Sequence, residues 1–127
     1  METEKKTKEP LSESDLAQFT GTEHWYKHWL GKVVFTDGVK YLAERAGNGC
    51  FWLLDEIAIS QSRPKIRAEE FQVWILKVDL EKRSAVLTCD DGNENVVFTK
   101  AIEFTDFPMP EMKLYFTDNT ILLPSEY

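Results

Sequence analysis

The residues best placed to do chemistry are two histidines and a pair of carboxylates. The run Glu23-His24-Trp25-Tyr26-Lys27-His28 sets its histidines four apart. On a helix that spacing puts His24 and His28 on one face, where both could ligate one metal ion. They are the only histidines in the chain. A third ligand would have to come from Asp55, Glu56 or a cysteine. No Glu follows the first His as in a zinc-protease helix, and Cys50 and Cys89 do not stand at zinc-finger spacing. The simpler account is an aromatic helix that turns Trp25 and Trp29 inward and leaves its histidines ordinary hydrogen bonds. On that account no metal and no cofactor are implied.

Asp55-Glu56 adjoins a very apolar run. Paired carboxylates can divide acid and base roles when burial moves their pKa values apart. Adjacent helix positions diverge by about 100°, so these two need not share a site. Asp90-Asp91-Gly92-Asn93-Glu94 has some of the look of a calcium loop, but lacks the full ligand ladder and the distal Glu. A hairpin turn is the better reading. Serine nucleophile elbows, phosphate-binding glycine loops and CxxC pairs do not occur. The catalytic residues are therefore unknown, and the binding candidates are His24, Trp25, His28, Trp29, Asp55 and Glu56.

The elements that must carry these residues follow from periodicity. Residues 1–11 read as a disordered polar tail and residues 12–127 as one domain. Ser12 and Asp15 form a capping box, with Leu11 and Leu16 as its hydrophobic staple. A short helix is predicted there, and a second over Glu23–Leu30 with Thr22 as its cap. Val33–Phe35 is a strand or a linker. Asp37 is predicted to cap a third helix, Gly38–Ala46, whose Val39, Leu42, Ala43 and Ala46 line one face. Cys50–Gln61 runs twelve residues without Gly or Pro, which favours a mostly buried helix over a strand.

From Phe71 the period becomes two. Phe71–Val78 is apolar on both faces and reads as an interior strand. Ala85, Leu87 and Cys89 alternate with polar neighbours. Val96, Phe98, Ile102 and Phe104 form one face of the next strand. Leu114 and Phe116 mark another, and Asp118-Asn119 turns into Ile121–Leu123. The fold class expected is α+β: N-terminal helices packed on a C-terminal antiparallel sheet of four or five strands. Leu42, Leu54, Ile57, Trp74, Leu76, Leu87, Phe98 and Leu114 are its predicted core.

Net charge is −7, and residues 84–127 carry eight acids against Lys100 and Lys113. Nucleic-acid affinity comes mostly from Lys and Arg neutralising phosphates, so direct nucleic-acid binding is not expected. No apolar run reaches the roughly 18 residues of a membrane helix. Two cysteines in apolar surroundings and a charged start without an apolar signal core predict a reducing, cytoplasmic setting.

Several segments carry a resemblance. They are Phe19-Thr20-Gly21-Thr22-Glu23-His24-Trp25-Tyr26, Thr36-Asp37-Gly38-Val39-Lys40-Tyr41-Leu42-Ala43, Trp52-Leu53-Leu54-Asp55-Glu56-Ile57-Ala58, Phe71-Gln72-Val73-Trp74, Cys89-Asp90-Asp91-Gly92-Asn93, Thr105-Asp106-Phe107-Pro108 and Leu123-Pro124-Ser125-Glu126-Tyr127. Over about residues 14–127 the chain resembles an uncharacterised family of small bacterial proteins, a domain of unknown function. The resemblance implies a single-domain bacterial protein and brings no assigned activity, cofactor or catalytic residue.

The function expected is a non-enzymatic protein-binding module, a regulator or inhibitor whose partner is another protein. One alternative is a small metal-dependent hydrolase using His24 and His28 with Asp55 and Glu56. The other is an acidic mimic of nucleic acid. They differ in whether the histidines and carboxylates converge, and in whether the acids form a free stripe.

Overall fold

A computed structural model describes residues 11–127. The tail expected at the start lies outside the described residues as far as Pro10, and Leu11 is buried. The elements run α1 (Glu13–Ala17), β1 (Trp25–Lys27), β2 (Val34–Thr36), α2 (Asp37–Arg45), α3 (Phe51–Ser60), α4 (Pro64–Arg67), β3 (Phe71–Asp79), β4 (Ser84–Asp90), β5 (Val96–Ile102), β6 (Glu111–Thr117) and β7 (Thr120–Leu122). A 3-10 turn, Pro124–Glu126, follows.

The strands form one sheet in the order β1-β2-β7-β6-β3-β4-β5. It has seven strands and is mixed, because β2 pairs with β7 in parallel. This corrects the expected antiparallel sheet of four or five strands under N-terminal helices. Two strands come from the N-terminal half, and α2, α3 and α4 lie between them and the rest, with α1 ahead of both. The largest change is at 23–30, where a strand and a turn replace the helix. Eight residues are too few to separate a period of 3.6 from one of 2. What decides is pairing: Tyr26 lies opposite Phe35, and their rings stack 5.7 Å apart. Thr22 accordingly caps nothing there; its hydroxyl accepts the Asp37 N–H at 2.9 Å. Thr36, not Asp37, is the N-cap of α2.

Local signals fare better. The Ser12–Asp15 capping box forms, and Leu16 is buried. Cys50–Gln61 is helical through α3. β3 lies between β6 and β4 as an interior strand; Trp74 and Leu76 on one face are buried in the core, and on the other Val73 is buried and Ile75 half-buried. Asp118 and Asn119 both take left-handed backbone, the geometry a two-residue hairpin turn requires. Leu42, Leu54, Ile57, Trp74, Leu76, Leu87 and Leu114 are buried in one core between the helices and the sheet. Phe98 is only half-buried, because β5 is an edge strand; the Arg63 guanidinium lies 5.0 Å over its ring. Val96 and Phe104 are exposed, so the strand face expected from 96 to 104 is not continuous.

Candidate functional site

Strand alternation sends Tyr26 and His28 to the helix side of β1 and Trp25 to the other side. His28 is 3% exposed. Its Nδ1 accepts the Leu30 N–H at 3.1 Å. A backbone N–H can only donate, so Nδ1 carries no proton and the ring is the neutral Nε2–H tautomer. That Nε2–H donates to Asp55 Oδ1 at 2.7 Å. Trp29 Nε1–H donates to the same oxygen at 2.8 Å. The tip closes through His28 N–H to Val33 O and Gly31 N–H to His28 O, both at 2.8 Å. Both ring nitrogens are thus occupied. A histidine so held cannot take a proton from water or substrate without breaking a bond. The pair is an anchor that ties the hairpin tip to α3.

α3 is apolar at nearly every position, which is usual for a helix covered on all sides. Here one side is open. Phe51, Asp55 and Ile59 follow at i, i+4 and i+8 and share a face. Phe51 is 44% exposed and Ile59 48%. Trp29, held against Asp55 by its indole N–H, is 72% exposed. Trp25 is exposed as well, so neither tryptophan turns inward as expected. Among the described residues ten large apolar side chains stand exposed, and Trp29, Leu30, Phe51 and Ile59 belong to the hairpin tip and the helix face it is tied to.

The other candidates go elsewhere. His24 is exposed and sits 3.5 Å from Asp37 Oδ1. Glu56 pairs with Lys100 at 2.6 Å. The structure therefore brings His28, Trp29 and Asp55 together and leaves His24, Trp25 and Glu56 out. Among the described residues no three His, Cys, Asp or Glu gather as a metal site would need.

Four further carboxylates accept backbone N–H groups, and for Asp37, Glu126 and Asp106 the donor lies far along the chain. Asp37 accepts the Glu23 N–H at 3.0 Å and the Tyr26 hydroxyl at 2.9 Å. The Glu23 bond is the main reason its pKa falls to about 2, with Tyr26 adding to it against the opposing effect of burial. Glu126 caps α2 from the far end of the chain: it accepts the Thr36 hydroxyl at 2.6 Å and the Gly38 N–H at 3.1 Å. A Cβ on Gly38 would lie 2.6 Å from Leu123 Cδ1, which is why this position has none. Asp106 accepts the Asn48 N–H at 2.7 Å beyond the end of α2. Asp91 closes the β4–β5 turn on the N–H groups of Asn93 and Asn95. Segments 19–26, 36–43 and 123–127 thus meet through Asp37 and Glu126. Glycine next to a carboxylate-bearing segment was the available signal.

Comparison with curated proteins finds no match, and neither does comparison with solved structures. A family profile, described as a family of unknown function (DUF6876), matches residues 10–127. It spans nearly the whole chain, so the protein belongs to this family of unknown function.

Proposed function

We propose that the protein is a non-enzymatic, cytoplasmic bacterial module that works by binding another protein, as a regulator or inhibitor. The observation that carries this reading is the open face of α3 with Trp29 beside it. Uncovered aromatic and aliphatic groups of this kind are where interface energy concentrates. The anchor through Asp55 holds the indole in place, so little ordering remains to be done on docking. The unpaired, buried Cys50 and Cys89 fit a reducing compartment.

The hydrolase reading needs four groups to converge, and its histidines attach to different carboxylates. The mimic reading needs free acids. Asp90, Asp91, Asp106 and Glu126, half of those in the C-terminal third, accept backbone N–H bonds.

A photo-crosslinking residue at position 59, with one at exposed position 81 as control, tests the docking face in the native host. The expected result is a discrete protein adduct from 59 alone, reduced about thirtyfold in affinity by Trp29→Ala, a loss of about 2 kcal/mol. No adduct, or equal adducts from both positions, rejects it.

A further inference from the structure

We infer that Asp55 and Trp29 form a socket for a cationic side chain of the partner, arginine above all. This rests on the docking face proposed above and says what must cover its centre. Asp55 Oδ1 already receives two N–H groups, from His28 and Trp29. Both donors are neutral, so neither balances the carboxylate's charge. Among the described residues no hydrogen bond reaches Oδ2, and no Lys or Arg forms an ion pair with Asp55. The one charged neighbour on its helix, Glu56, is satisfied by Lys100.

The surroundings of that oxygen are apolar. Phe51 stands one turn before Asp55 and Ile59 one turn after, both exposed, and the Trp29 ring is fastened alongside. A wholly apolar partner laid on this face would strip water from an unbalanced carboxylate, which opposes docking. A guanidinium changes the sign of that effect. It can donate to Oδ2 in the carboxylate plane while its flat face lies on the indole. An ammonium supplies the charge without the plane, so lysine ranks second.

The probe is N-acetyl-arginine amide, with the citrulline compound as its neutral isostere. The readout is the Trp29 indole N–H resonance of the whole protein, assigned by its loss in Trp29→Phe. A saturable shift is expected with arginine, at least about tenfold tighter than with citrulline. Asp55→Asn should bring arginine down to the citrulline level. Its amide oxygen can still accept from His28 and Trp29, so the melting temperature should hold. Should that variant not fold, salt raised on the unmodified protein gives the same reading: arginine binding weakens and citrulline binding does not. Equal binding of the two compounds, or no saturable shift with arginine, overturns the socket. An adduct at position 59 that survives Asp55→Asn undiminished also overturns it, while leaving the docking face itself in place.

Discussion

Asp37 accepts the Glu23 N–H from the loop before β1 and the Tyr26 hydroxyl from β1 itself, and its acidity records them. Its pKa of about 2 in the folded protein lies below the ordinary 3.8. Folding therefore favours the ionised form. The stabilisation is complete above about pH 4 and is lost as pH falls toward 2. Melting temperature followed over that range should drop more steeply for the native protein than for Asp37→Asn; parallel curves would show that Asp37 contributes nothing. The two thiols respond to burial in the opposite direction. Desolvation pushes Cys50 and Cys89 up to about 12. Both are thiols at any physiological pH, and their place is in the core beside Leu42 and Trp74.

The interior strand β3 is paired on both edges and sets Trp74 and Leu76 into the core. Leu76 is buried against that core, between Leu87 of β4 and Met112 of β6. Leu76→Ala should cost about 2–5 kcal/mol, measured as a lowered denaturant midpoint at unchanged slope. Such central elements were legible in the sequence because their signals are local. A capping box, twelve uninterrupted residues and a double apolar run each declare an element without reference to the rest. β1 was not legible. Residues 25–27 take their pairing from 34–36, and β2 in turn from β7, nearly ninety residues on. The site shows the same division. His28, Trp29 and Asp55 stood out by type, but the spacing that joined His28 to His24 belonged to a helix that does not form. The Asp55-Glu56 pair marks a solvent-facing side of α3, but Phe51 and Ile59, one turn to either side of Asp55, are apolar types that read as core.

The hairpin β1–β2 joins the sheet through the parallel pairing of Val34 and Phe35 with Thr120 and Ile121. β3, by contrast, is paired along most of its length on both sides. Local opening should therefore begin at the hairpin. Amide hydrogens in 26–28 and 34–36 should exchange at least about tenfold faster than those in 74–76, and equal protection would mean that the sheet opens as one unit. The same joint has a meaning in time as well as in space. A ribosome makes the hairpin early and β7 late, and loop closure over so long a span is slow to be rewarded. Until residues 120–122 emerge, the ribbon that carries Trp29 has no sheet to join. Order of synthesis and order of pairing differ: the hairpin is made early, and its place in the sheet waits for β7.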